Sequence, residues 1–328
     1  MGSRLGEFSL LVCCSLGVFF SYLIYGLLQE KLTKSNYGPG EKFNYFFSLM
    51  LFQCMTNSFF SAFALYFKNE RKTTASEWDF ALCGFTYIGA MLTSNYSLKF
   101  VSYPVQVISK SIKPIPVLIL HVLWARRKYP LRKYLFIVMI SVGVALFMYK
   151  GKASVSSQLG WGEFLLMISL MLDGFTGGIQ ESMRKFEVGS YTLMLHMNLW
   201  SIVYLSAALL VTGESSLFVH FARAHPEIIP NMIYFGLASA IGQIFLFTLL
   251  TNFGSLTCAI VTTTRKFFTV LASIMLFSHV MTHQQWIGTI LVFSGIFLDQ
   301  FYSKSKKMSA EKHENDSLSS KKQRSETL

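Results

Sequence analysis

The sequence predicts an all-α membrane protein of ten transmembrane helices arranged as two inverted five-helix repeats. Three observations predict it. Hydrophobic residues fill 52% of the 328 positions, the mean hydropathy is +0.43, and apolar stretches of about 20 residues, long enough to cross a hydrocarbon core of ~30 Å, recur from end to end. Lys and Arg are divided unequally between alternate loops. The second half of the chain also repeats, weakly but in order, features of the first.

The first span, 8–28, follows a short segment (1–7) expected in the cytosol and carries Tyr22 and Tyr25; Gln29 and Glu30 mark its end. The second and third, 43–67 and 78–98, contain Cys54 and Cys83. Together with Cys13, Cys14 and Cys258 they lack metal-ligand spacing and read as small apolar residues. The fourth, 103–124, places Gln106, Lys110 and Lys113 at i, i+4 and i+7, on one helical face, with Pro114 and Pro116 interrupting the helix just after them. The fifth, 131–149, completes a first repeat at 8–149. The sixth, 160–182, brings Asp173, Gln180 and Glu181; the seventh and eighth are 191–212 and 229–251. The ninth, 255–278, carries Arg265 and sets Thr262, Lys266 and Thr269 on one face, as the fourth does. The tenth, 284–302, closes a second repeat at 150–302. Residues 303–328 are polar and charged and read as a disordered cytosolic tail.

A net charge of +12 does not mean nucleic acid here, because its distribution follows the membrane. Eighteen Lys and Arg fall on the segments that share a side with the N-terminus and seven on the opposite side, which sets both termini in the cytosol. Four remain of the 29: Lys110, Lys113, Arg265 and Lys266, all inside spans. A cation at mid-bilayer costs roughly 2.5–3.5 kcal/mol on insertion scales, so four cost on the order of 10 kcal/mol, comparable with the ~5–15 kcal/mol stability of a domain. Snorkelling is a poor escape, since Lys113 lies about ten residues, or ~15 Å, past Tyr103. Pairing is incomplete, since Asp173 is the one carboxylate placed near mid-depth. The excess of positive charge suits a bound di- or polyphosphate.

The repeat places 100–117 on 253–270, pairing Lys113 with Lys266. A similar slide sets Gly26, Gln29 and Glu30 on Gly177, Gln180 and Glu181, and Gly89 falls on Gly242. Five spans per half force the halves to insert in opposite senses, the plan that puts a substrate at the midplane between repeats. Tyr22, Tyr25 and Tyr103 are candidates to stack a base or bond a sugar. Glu30 and Glu181, at opposite faces, are candidate gates. No phosphate-cradling GxxxxGK[ST] loop appears, which excludes ATP hydrolysis as the motor, and no cofactor or metal is expected. His196, His279 and His283 form no catalytic grouping.

The segments GLLQEKL (26–32), SNYSLKFVSYPVQVISKSIKPIPV (94–117), GVALFMYK (143–150), DGFTGGIQE (173–181), TTTRKFFTVLAS (262–273) and QWIGTILVFSGIFLD (285–299) resemble the nucleotide-sugar transporters of solute carrier family 35, subfamily B above all, over nearly all of 8–302. The resemblance implies the drug/metabolite transporter fold, the endoplasmic reticulum membrane, and exchange of a nucleotide or nucleotide-sugar substrate. Lys110, Lys113, Arg265 and Lys266 are then expected to hold its phosphates. Members are associated with UDP-galactose or UDP-glucose transport and also with ATP import against ADP, so an ATP/ADP exchanger is the alternative. A proton-coupled exporter titrating Asp173 and a non-transport scaffold rank lower. The ending KKQRSETL departs from the pattern, setting Lys321 and Lys322 too far back for a dilysine retrieval signal.

Overall fold

A computed structural model describes residues 2–38, 41–68, 70, 73–97, 100–101, 106, 109–110, 112–124, 126, 128–148, 160–276 and 282–298. Its long elements are helices: α1 (Gly2–Lys34), α2 (Phe46–Phe67), α3 (Glu77–Ser97), α4 (Pro114–Leu123), α5 (Leu131–Met148), α6 (Trp161–Met183), α7 (Ser190–Thr212), the short α8 (Glu214–Ala224), α9 (Ile228–Phe253), α10 (Ser255–Leu276) and α11 (283–298). The expected tail at 303–328 lies outside the described residues. Five helices among the described residues are long and apolar enough to cross a membrane: Gly6–Thr33, Phe46–Phe67, Trp161–Phe186, Ser190–Thr212 and Ile228–Phe253. The chain is an all-helical, multi-pass membrane protein.

The distribution of polarity is that of a protein dissolved in lipid. Outward positions are apolar, with Phe59 65% and Val211 88% exposed, whereas Asn57, His121, Ser169 and Ser201 are wholly buried. Hydroxyl groups are satisfied within their own helices, as Thr93 donates to the Gly89 carbonyl, Ser201 to Met197 and Thr248 to Ile244. Such back-bonding satisfies these hydroxyls without water.

Several boundaries depart from the expected spans for local reasons. Residues 2–7 are continuous with α1. The fourth span is broken at Ile112–Lys113, directly ahead of Pro114 and next to the interruption expected just after Lys113. Ile112 and Lys113 form a turn in which the Lys113 N–H bonds the Lys110 carbonyl at 3.4 Å, a bond that Pro114, lacking an N–H, cannot supply. A single residue, Gly254, links α9 to α10 at φ +91°, a conformation open to glycine. Two elements were not expected: the hairpin of β1 (Asn36–Gly38) and β2 (Glu41–Lys42), and α8, which packs Phe218 and Phe221 against Phe43 and Tyr45.

Helix packing relies on small residues at the crossings. α5 and α11 meet at Gly143 and Gly288, where a Cβ on Gly288 would stand 2.7 Å from the Gly143 carbonyl oxygen and 2.8 Å from the Phe147 nitrogen. Only bare backbones approach so closely. Gly288→Ala is therefore expected to cost about 1–3 kcal/mol through overpacking, read as a lowered melting temperature of the detergent-purified protein. Gly26→Ala, where nothing stands within 4 Å, is expected to leave that temperature unlowered.

Candidate functional site

The site begins on α6. Its glycines face α4 so closely that a Cβ on Gly174 would lie 2.7 Å from Leu120 and 3.0 Å from the Pro116 carbonyl oxygen, and one on Gly177 3.0 Å from Val117. That approach carries the two lysines just before α4 onto the polar stripe of α6, where Ser169 and Asp173 are one turn apart. Lys110 Nζ stands 2.5 Å from Asp173 Oδ2 and 2.5 Å from Ser169 Oγ; Lys113 Nζ stands 2.9 Å from Asp173 Oδ1. Ser169 passes its proton donation on to the Ala90 carbonyl of α3 at 2.5 Å. One carboxylate thus holds two ammonium groups, and three helices converge on it.

Two charges of one sign against one of the other leave this cluster net positive. A cation in a low-dielectric interior is tolerated only where partners or water offset its desolvation. Lys113 keeps 36% of its side-chain surface accessible, against 15% for Lys110, so Lys113 opens on a void within the helix assembly. That void has a volume of about 110 Å³ and is lined by Lys113, Asp173, Thr262, Tyr22, Tyr87 and Gln243, among others. Arg265, on α10, stands 5.6 Å over the Tyr22 ring, within cation–π range. The cavity is therefore bordered by Lys113, and the Tyr22 ring in its wall is itself covered by Arg265.

Beside it runs a line of amides. Asn57 donates to Asn198 Oδ1 at 3.3 Å, Asn198 donates to Gln243 Oε1 at 2.8 Å, and Gln180 donates to the Met197 sulfur at 3.4 Å. Toward one end, Ser255 at the start of α10 donates to the Gly177 carbonyl at 2.8 Å and lies 2.6 Å from His121 Nε2. Glu181 accepts from Arg184 at 3.1 Å and from the Ser255 N–H at 3.4 Å. Arg184 itself caps α9 through the Thr251 and Asn252 carbonyls.

The expected residues are distributed as follows. Lys110, Lys113 and Asp173 form one cluster, and Tyr22 and Thr262 line the cavity that it borders. Gln106 turns instead to α3, donating to the Ser94 carbonyl at 2.7 Å and its hydroxyl at 3.1 Å, so it ties two helices together. Tyr25 bonds Gln53 at 3.1 Å and stacks on Phe235 at 4.5 Å, within the aromatic packing around α8. Tyr103 and the side chains of Glu30, Lys266 and Thr269 lie outside the described residues. Sequence reasoning overlooked Tyr87, Ser169, Asn198, Gln243 and His121. Their signal was a polar or hydroxyl group inside an apolar span.

Comparison with known proteins agrees in kind. The sequence profile of the UAA transporter family matches residues 10–303. Solute carrier family 35 member B1 of Xenopus tropicalis is 48% identical over 306 residues, covering 90% of this chain and 95% of that protein. The Rattus norvegicus protein of the same name is 48% identical over 302 residues, covering 90% and 94%. The Drosophila melanogaster homolog is 40% identical over 313 residues, covering 92% and 93%. A solved crystal structure, 9% identical, shares the fold at a TM-score of 0.65 over 90% of this chain and 98% of its own. These relatives are solute carriers and not enzymes, and the chain belongs to the UAA transporter family.

Proposed function

We propose that this protein is an antiporter of the endoplasmic reticulum membrane that exchanges a nucleotide sugar, UDP-galactose or UDP-glucose, for a nucleotide by alternating access around the basic cavity. The observation that carries this reading is the Lys110–Asp173–Lys113 cluster, net positive and bordering a cavity inside the helix assembly. Phosphate is the anion whose charge and spread of acceptors best match several converging cations. Tyr22 and Tyr87 offer the aromatic faces that a base or sugar would use.

The proposed architecture is ten crossing helices in two inverted repeats, 8–149 and 150–302, with both termini cytosolic. Helix partners support it. α1 packs on α9 and α6 on α3; α3 packs on α7 and α9 on α2; α2 packs on α7, and α4 on α10. Exchanging the halves maps each contact onto another of this set or onto itself. Gly89 meets Leu172 of α6 as Gly242 meets Tyr22 of α1, each at 3.1 Å from an added Cβ. In such a plan the substrate is held between halves, Lys110 and Lys113 on one side and Arg265 and Lys266 on the other.

Asp173 then acts as the resident counter-ion. In the empty carrier it offsets part of the positive charge; an arriving diphosphate takes Lys110 and Lys113 from it and completes neutralisation with Arg265 and Lys266. Binding draws the halves together, and the cycle turns quickly only when loaded. Glu181, tied to Arg184 and Ser255, belongs to the closure on the cytosolic side, with Glu30 at the opposite face.

Three outcomes follow. Lys113→Ala and Lys266→Ala are expected to abolish nucleotide binding by calorimetry while the melting temperature is kept; full exchange by both would contradict the assignment. Asp173→Asn removes the phosphate's competitor, so the nucleotide KM is expected to fall about tenfold, equivalent to ~1.4 kcal/mol, while the maximal rate also falls because release is slower; a raised KM would contradict the counter-ion role. Counterflow in liposomes preloaded with UMP is expected to drive uptake of labelled UDP-galactose or UDP-glucose. Uptake of ATP dependent on internal ADP, without UDP-sugar uptake, would replace this reading by that of an ATP/ADP exchanger.

A further inference from the structure

α2 and α7 are antiparallel neighbours fastened to each other twice by the same device. Glu70, just beyond the end of α2, lays its carboxylate on the first turn of α7. It accepts from the Tyr191 N–H at 3.3 Å, the Thr192 N–H at 3.0 Å and the Thr192 hydroxyl at 2.9 Å. Glu214, just beyond the end of α7, returns the contact at the other end of the pair, accepting from the Ser48 N–H at 2.8 Å and the Ser48 hydroxyl at 2.9 Å. Ser48 is the third residue of α2 and Thr192 the third of α7, and the interval from Ser48 to Glu70 equals that from Thr192 to Glu214. Neither helix has a capping side chain of its own.

Each carboxylate therefore supplies from the opposite helix's loop what an N-terminus needs: an acceptor for its orphan N–H groups and a negative charge on the positive end of its dipole. A Cβ at Gly189 would overlap the Glu70 carboxylate, so a side chain there would push it off the first turn of α7. Midway along the pair, buried Asn57 bonds Asn198. The two helices are thus held at both ends and at the centre. Helix breaks lie elsewhere, at the Ile112–Lys113 turn beside the lysine cluster and at the single-residue Gly254 link into the helix bearing Arg265.

Resting on the transport reading above, we propose that Glu70 and Glu214 are positioning residues which bolt α2 and α7 into one rigid strut, a pair that stays together through the exchange cycle while the helices carrying the basic residues move about it. Neither glutamate lines the central cavity. Their effect is accordingly on turnover and not on affinity.

The test replaces each clamp by a bridgeable thiol pair: Glu70→Cys with Thr192→Cys, and Ser48→Cys with Glu214→Cys. Both are made in a Cys13→Ser background, because Cys13 is exposed. Nucleotide counterflow, KM and melting temperature are measured before and after treatment with a short bifunctional thiol reagent. Without the bridge, each pair is expected to exchange about tenfold more slowly than the background, equivalent to ~1.4 kcal/mol, with KM unchanged; bridging is expected to restore the background rate. Abolished exchange after bridging would mean that α2 and α7 must part during the cycle, and would overturn the strut. An undiminished rate before bridging, with only the melting temperature lowered, would reduce the clamps to fold stabilisers and overturn it equally. If a thiol pair fails to fold, Glu70→Gln and Glu214→Gln carry the same expectation of slower turnover at constant KM, and undiminished turnover in both would refute it. A background protein that exchanges no nucleotide would bring down the transport reading, and the strut with it.

Discussion

Two ammonium groups closing on one carboxylate in the interior of a membrane protein is the interaction on which the rest of the structure depends. Asp173 lies 8% exposed between Lys110 and Lys113. Its burial is tolerable only because each oxygen faces a cation at hydrogen-bond distance, and theirs only because the carboxylate is there. Everything nearby serves that geometry. The bare α6 surface at Gly174 and Gly177 lets α4 approach, the turn before Pro114 aims Lys113 across it, and Ser169 links Lys110 to the α3 backbone. The arrangement stops short of neutrality, and the residual charge fronts the cavity.

Around that cluster the bilayer dictates the remaining order. Without water outside, apolar side chains gain nothing by avoiding the surface, and polar ones must find partners within. Hence the apolar exterior, the back-bonded serines and threonines, and the buried line from Asn57 through Asn198 to Gln243. Helix ends face the same demand, and here the solution is reciprocal. Glu70 and Glu214 each satisfy the first turn of the opposite helix, so α2 and α7 are bonded to each other at both ends. In the exchange cycle proposed above, α2 with α7 is the element that keeps the two halves in register while others shift.

The periodicities of the chain reported one-dimensional facts well. Apolar runs located the helices, because a helix in lipid needs about 20 apolar residues and little else. The misplaced cations were equally visible, since four charges inside apolar runs need no structure to be noticed, and the one mid-depth carboxylate, Asp173, proved to lie against two of them. What periodicity could not report was the neighbour on each face. Gln106 shares a stripe with Lys110 but bonds Ser94, whose carbonyl on α3 stands within its reach. Tyr25 sits one turn from Tyr22 yet packs into an aromatic cluster with Phe235. Nothing in the hydropathy pattern marks Glu70 or Glu214, and only the fold discloses that each reaches the first turn of a helix more than a hundred positions away.

The central claim is that positive charge left over from Asp173 recognises phosphate. Titration calorimetry of the unmodified protein with uridine, UMP, UDP and UTP in turn tests it most directly, because the base is constant and only the phosphate count changes. The account predicts no measurable binding of the nucleoside, weak binding of the monophosphate and a marked gain on adding the second phosphate. Equal affinity across the series would contradict it, and would move recognition away from the lysines.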